Sequence, residues 1–192
     1  CSSDLEECKK AGNPDMVYIF GSASKVSFSG SGIAMIGASK ANIDFIKKQL
    51  TIQTIGYDKI NQLRHVKFFK DFDGILAQME KNKAIIAPKI ETVLKKLDEE
   101  IAPLDIASWH KPNGGYFISF NTMDGCAKRV IQLCKEAGVV LTPAGATFPY
   151  GKDPDDKNIR IAPTFPPVSE LETAMELFCI CVKLASVEKL LG

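Results

Sequence analysis

The stretch MVYIFGSASKVSFSGSGIAMIGAS, residues 16–39, decides how this 192-residue chain is read. Residues 16–22 and 32–39 are short apolar runs rich in β-formers. Neither alternates, which is the pattern of strands buried on both faces. Between them, residues 22–32 are small, polar and glycine-bearing, so they read as a loop, and its one charge is Lys25. Two strands do not make a stable sheet alone. This segment therefore reads as the edge of a larger α/β domain whose other strands lie elsewhere.

Outward from it, residues 4–15 (DLEECKKAGNPD) read as the end of a helix stopped by Gly12, Asn13 and Pro14. Residues 40–50 carry Ile43, Ile46 and Leu50 at helical spacing. Ile60, Leu63, Val66 and Phe69 give a second helical stripe. A third runs from Asp73 to about Glu100 through Ile86, Ile90, Val93, Leu97 and Ile101. Pro88 should kink that helix or open a new one, because it removes a donor and crowds the preceding turn. From Ile106 to Asn121 the rhythm becomes two β-rich runs around Pro112-Asn113-Gly114, a hairpin. DGCAKRVIQLCKEAG, residues 124–138, reads as an amphipathic helix capped by Asp124 and Gly138. VVLTP (139–143) and NIRIAP (158–163) read as short strands. SELETAMELFCICVKLASVEKLL closes the chain as a helix with a capping-box-like Ser169-x-x-Glu172. The expected organisation is a partial large domain over 1–72 and a small α+β domain with its linking helix over 73–192. The compact core of the latter is about 87–192.

Composition narrows the function. The chain is 45% apolar and 24% charged, with a net charge of +1. That balance argues against a nucleic-acid binder, which shows a basic stripe. No apolar run is long enough to span a membrane, and residues 1–10 lack signal-peptide order. The six cysteines, Cys1, Cys8, Cys126, Cys134, Cys179 and Cys181, have no metal-ligand spacing and read as buried thiols of a cytoplasmic protein.

Three places could carry chemistry. Lys25 follows a strand end, where open α/β sheets bind ligands. Its neighbours Ser22, Ser24, Ser27 and Ser29, with Gly30 and Gly32, offer hydroxyls and bare amides that suit a phosphate. Arg160 sits among apolar neighbours on a short strand, and its fork fits a carboxylate. Gly114-Gly115-Tyr116-Phe117 and the loop 143–151 combine close backbone approach with aromatic walls. The plain alternatives are a surface lysine in a polar turn, a half-solvated arginine and a simple hairpin. His65, in Asn61-Gln62-Leu63-Arg64-His65, has no carboxylate beside it and reads as structural. Residues 152–157 read as a solvated turn.

Taken together, the strings FGSASK, NQLRHVKFF, KPNGGYFIS, LTPAGATFPYGKDPDD and NIRIAP resemble the C-terminal part of a pyridoxal-phosphate-dependent aminotransferase of fold type I. The branch is that of the bacterial aspartate aminotransferase-like proteins. The resemblance implies an α/β fold: the end of the large coenzyme domain followed by an α+β small domain. It implies a pyridoxal 5′-phosphate cofactor, with Lys25 as the lysine that binds it covalently and later moves a proton from the substrate Cα. Ser22 and Ser24 would lie beside the coenzyme phosphate. Arg160 would grip the substrate α-carboxylate, with Tyr116 and Phe117 lining the pocket. Residues 57–62 would reach the partner subunit of a homodimer. The substrates implied are an amino acid, aspartate foremost, and a 2-oxo acid, with neither nucleic acid nor membrane as partner. Many relatives carry an arginine eight residues after the lysine; here that position is Ile33. Phosphate binding would then rest on hydroxyls and amides. The acidic partner of the pyridine nitrogen and the residue stacking on the ring lie upstream of the lysine in the family, so the chain is expected to be a C-terminal fragment. A non-catalytic coenzyme- or effector-binding domain of a regulator is the alternative reading, and a purely structural α/β module is a third.

Overall fold

The computed structural model of the protein describes residues 2–28 and 30–192. Cys1 and Ser29, one a cysteine read above as buried and the other a serine read as phosphate-facing, lie outside the described residues. The chain divides into two compact units, residues 1–82 and 83–192.

In the first unit, α1 (Ser2–Lys10) ends in a reciprocal pair of bonds. Asn13 N–H donates to Cys8 O at 2.9 Å and Gly12 N–H to Lys9 O at 3.1 Å. This closes the helix as the Gly-Asn-Pro string requires. Strands β1 (Tyr18–Ser22) and β2 (Ala34–Ala38) pair antiparallel, with Phe20 opposite Ile36 and Ser22 opposite Ala34. They are not buried on both faces: Phe20 is 77% and Met35 58% exposed. The two-stranded sheet supplies each strand with one neighbour, so their apolar runs are only half covered. Helix α2 (Lys40–Gln53) starts at Ser39, whose hydroxyl accepts Asn42 N–H. Helix α3 (Lys59–Phe69) starts at Asp58, which accepts Asn61 N–H at 2.9 Å. Of the expected stripe on α3, Ile60, Leu63 and Val66 face outward, Ile60 at 78% exposed, and Phe69 alone is buried. The helix's buried residues are His65, which with Asn61 bonds the β1–β2 loop, and Phe69, which packs against the Phe28 ring.

Helix α4 (Phe72–Glu100) runs unbroken through Pro88. The proline deprives the Ala84 carbonyl of its helical donor but does not end the helix. Beyond it, Val93, Leu97 and Ile101 are fully buried, and that packing holds the second half in place.

The second unit is a three-stranded antiparallel sheet, β3 (Ala107–Trp109), β4 (Ile118–Thr122) and β5 (Asn158–Ile161), with β4 central. Ile118 pairs with Ile161 and Phe120 with Ile159, and these four fill the core face. Helices α5 (Ala127–Glu136) and α6 (Val168–Leu191) contribute Val130, Cys134, Met175, Phe178 and Val182 to the same core. The Phe120 and Phe178 rings meet edge to face at 5.1 Å.

Several local expectations are corrected. Residues 139–143 form no strand: the Val139 N–H is taken by Cys134 O at 2.8 Å, and Val140 is 84% exposed. That bond, with Gly138 N–H to Lys135 O at 3.1 Å, closes α5 around Gly138 at φ +90°, a conformation glycine adopts without strain. At the other end of α5 the cap is not Asp124. The Ala127 N–H donates to Asp156 O at 2.8 Å and the Lys128 N–H to Asp156 Oδ1 at 3.3 Å. Helix α6 has Pro167 at its N-cap position and no side-chain cap, so Ser169 lies two residues too late for a capping box. Cys126, Cys134, Cys179 and Cys181 are buried thiols, whereas Cys8 is half-buried on α1. Burial pushes the Cys179 thiol up to about 11 and raises Cys126 and Cys134 as well.

The turn at 152–157 is more than a solvated one. Asp153 accepts N–H bonds from Asn158 (2.7 Å), Lys157 (2.9 Å) and Asp155 (3.1 Å). Burial would raise its carboxyl, but those three N–H groups hold it below the ordinary carboxylate value.

Two predictions follow from this packing. Leu97→Ala should cost about 2–5 kcal/mol in urea unfolding, whereas Val140→Ala, at a residue 84% exposed, should stay within about 0.5 kcal/mol. Asp153 has a depressed folded-state pKa, so its contribution is present above the unfolded value of about 3.9 and is lost as pH falls through the lower folded value. The gap in melting temperature between wild type and Asp153→Asn should therefore be widest near neutrality and close below about pH 4.

Candidate active site

The first candidate region lies wholly in the first unit. Lys25 is exposed on the turn that leaves β1. The Ala23 carbonyl accepts the N–H groups of Val26 (3.0 Å) and Ser27 (2.8 Å), which curls the chain just around Lys25. Ala23 N–H donates to Ile33 O at 2.8 Å and so ties the turn to the start of the return strand. Ser22 and Ser24 hydroxyls lie 2.8 Å apart, and the Ser24 N–H donates to Ser22 Oγ at 3.2 Å. A Cβ at Gly32 would stand 2.8 Å from the Ser24 Cα, so glycine is what lets the two arms of the loop pass this closely.

The loop is clamped from outside by side chains of α3 and α4. Asn61 Nδ2 donates to Ser31 O at 2.8 Å, and Asn82 Nδ2 to Val26 O at 3.3 Å. His65 Nε2 lies 2.7 Å from Ser27 Oγ and its Nδ1 2.8 Å from Asn61 O. Phe28 packs edge-on to His65 at 5.2 Å and to Phe68 at 4.9 Å. A cavity of about 440 Å³ opens beside this turn, lined among others by Ser22, Ala23, Ser27, His65 and Phe69.

The second candidate region lies in the second unit, on the sheet face opposite the core. Register puts Ser119 beside Arg160 and Asn121 beside Asn158, so this face is polar where the other is apolar. The Arg160 Cζ stands 4.6 Å from the centre of the Phe117 ring. Its Nη2 reaches Thr142 Oγ1 at 3.5 Å, a long bond, and its Nε is buried without a hydrogen bond. Phe117 is 42% exposed and Tyr116 half-buried beside it. Asn158, next but one to Arg160, has a fully used amide: Nδ2 donates to Ser119 Oγ (2.9 Å) and Asn121 Oδ1 (2.8 Å), and Oδ1 accepts from Thr147 (2.6 Å). Thr147 belongs to the loop 143–151, so that loop is fastened to the arginine's face.

Ser22, Ser24 and Lys25 thus share one turn, and Arg160 and Phe117 touch. The sequence reading missed Asn61, Asn82, Thr142 and Asn158. Two of these had a signal. Asn61 and His65 stand four apart on one helix, and Asn158 and Arg160 two apart on one strand, so each pair shares a face. Asn82 is 56 residues from the carbonyl it holds, and nothing local announces it.

Among the described residues, no group of histidine, cysteine and carboxylate side chains could hold a metal ion. Nor, among the described residues, is any helix long and apolar enough to cross a membrane.

Residues 3–192 match the family model for aspartate amino-transferase. A provisionally named aminotransferase of Mycolicibacterium smegmatis is 47% identical over 182 residues, covering 95% of this chain and 42% of that protein. An aspartate aminotransferase of Corynebacterium glutamicum is 44% identical over 178 residues, covering 93% of this chain and 41% of its own length. The crystal structure of an aspartate transaminase from the same organism superposes with a TM-score of 0.93 at 42% identity, over 96% of this chain and 44% of that one. The chain therefore spans less than half the length of the relatives it matches. Both the sequence match and the superposition assign it: the chain belongs to the aspartate aminotransferase family, among the aminotransferases of the pyridoxal-phosphate fold type I.

Proposed function

We propose that the chain carries the coenzyme lysine and the substrate-carboxylate arginine of an aminotransferase that moves an amino group from an amino acid, aspartate in our reading, to a 2-oxo acid. The observation that carries this reading is Arg160: a guanidinium on a polar sheet face, backed by the Phe117 ring, with a buried Nε that has no hydrogen-bond partner. A buried donor left unmatched is costly, and a carboxylate is the acceptor that matches the fork.

The lysine turn also fits pyridoxal 5′-phosphate. Its neighbouring hydroxyls and the close approach at Gly32 make a small polar cradle, as an anionic phosphate requires, and Lys25 stands on the same turn. Ser22 and Ser24 would donate to the phosphate in place of an arginine at Ile33. When bound, the coenzyme supplies the electron sink that makes the substrate Cα–H acidic. Lys25 would hold the coenzyme covalently and, once released, carry the proton to and from the substrate Cα. Arg160 would fix the α-carboxylate and so orient the Cα–H bond, an entropic contribution to rate. Tyr116 and Phe117 would wall the pocket and exclude water. In this reading the protein works as a cytoplasmic homodimer, with residues 57–62, which expose Tyr57 and Ile60, turned toward the partner subunit.

Reduction of the full-length gene product with borohydride in the presence of pyridoxal phosphate should place the label on Lys25 in a peptide map; a label confined to other lysines overturns the assignment. Arg160→Lys keeps the charge but loses the fork. It should leave coenzyme binding intact and raise the barrier of the single-turnover reaction with aspartate by roughly 1.5–3 kcal/mol. Unchanged single-turnover kinetics would mean that the carboxylate is gripped elsewhere.

A further inference from the structure

We infer that His65 and Ser27 act as a positioning pair for Lys25, an inference that rests on the lysine assignment above. Ser27 lies two residues past Lys25 and closes its turn. Its hydroxyl has two acceptors in reach: Ala23 O at 2.9 Å and His65 Nε2 at 2.7 Å. The Ala23 carbonyl already accepts the N–H groups of Val26 and Ser27, and a carbonyl has only two lone pairs. The hydroxyl proton is therefore better used on His65.

The other ring nitrogen settles the tautomer. Nδ1 lies 2.8 Å from Asn61 O, and a carbonyl can only accept, so Nδ1 carries the ring proton. Nε2 is then the acceptor that Ser27 Oγ–H needs. Both nitrogens of a histidine only 4% exposed are thereby satisfied, and the Phe28 and Phe69 rings pack against the imidazole at 5.2 and 6.0 Å. Other bonds hold the loop at its far end, at Ser31 O, and at the backbone of Val26. The hydroxyl–imidazole bond is the one that ties the closing residue of the lysine turn to α3 through side chains of both partners. It fixes where that turn stands relative to the helix, and with it the direction from which Lys25 meets the coenzyme.

The test uses the full-length gene product loaded with pyridoxal phosphate. The variants are Ser27→Ala, His65→Phe, which keeps a flat ring without donors, and His65→Gln, whose amide can still bond Ser27. The coenzyme dissociation constant and the share of borohydride label on Lys25 are measured, together with the ¹⁵N shifts of the His65 ring in the wild type. Ser27→Ala and His65→Phe should each weaken coenzyme binding about five-fold, as loss of one ordinary hydrogen bond does. His65→Gln should recover most of the loss, and the neutral wild-type ring should carry its proton on Nδ1. A wild-type label absent from Lys25 overturns the lysine assignment and this inference with it. A label on Lys25 with binding unchanged in Ser27→Ala and His65→Phe overturns the pair alone. A loss in His65→Phe that His65→Gln does not recover, with Ser27→Ala unaffected, assigns His65 to packing and likewise overturns the pair.

Discussion

One carbonyl organises the lysine turn. Ala23 O takes two backbone N–H groups at once, and by doing so it folds residues 23–27 into a tight curl at the end of β1. Every other feature of this region answers to that curl. The Ser27 hydroxyl lies between that crowded carbonyl, 2.9 Å away, and the imidazole that α3 supplies at 2.7 Å. With the curl closed, the loop has to return past Ser24, and Gly32 is the residue that fits. The backbone groups that such a loop leaves unpaired would be costly if buried. Asn61 and Asn82 meet them with amides. The inward face of α3 consequently mixes polar Asn61 and His65 with Phe69, while Ile60, Leu63 and Val66 face away.

The second unit solves a different problem with strand alternation. A period of two puts Ile118, Phe120, Ile159 and Ile161 into the core and leaves Ser119, Asn121, Asn158 and Arg160 on the reverse face. The carboxylate grip proposed for Arg160 needs a rigid seat. The core residues between which it stands give it one, since β5 cannot shift without disturbing Ile159 and Ile161. Asp153 sets where β5 begins, by gathering the N–H groups of Lys157 and Asn158, and Asp156 caps α5 from the same turn. A loop that looked like solvated charge thus aligns a strand and a helix.

What was legible in the sequence was what periodicity and punctuation encode. The helices of 40–53, 59–69 and 127–136, the 107–122 hairpin and the strand at 158–161 stand where their patterns put them. Lys25, Arg160 and Phe117 could be singled out because a charge between apolar runs, or a glycine pair before aromatics, is conspicuous. The failures share one cause. Val139-Val140-Leu141 has strand composition, but a strand needs a partner, and the closure of α5 had already taken its first N–H. Ser169 and Asp124 had capping composition, but the helices started elsewhere. Pro88 had breaker composition, but tertiary burial of Val93 and Leu97 outweighed it. In each case one local signal met a stronger competitor, near in sequence for Val139 and Ser169 and distant for Asp124 and Pro88. Asn82 and Thr142 were invisible because their partners lie 56 and 18 residues away.

The two charged residues at the centre of this reading need opposite environments, and the fold gives each its own. A lysine that must act as a nucleophile and a proton carrier has to exist part of the time uncharged, and it has to reach. An exposed position on a turn held at both ends supplies reach, while the turn's own bonds supply direction. An arginine never loses its charge, and its value lies in the fixed fork. Half-burial on a strand, with a ring against one face and one buried N–H without a hydrogen bond, holds that fork in one place, as the proposed carboxylate grip requires. Exchanging the two settings would spoil both. A lysine at position 160 would lose the planar match, and an arginine at position 25 would carry a charge it cannot give up.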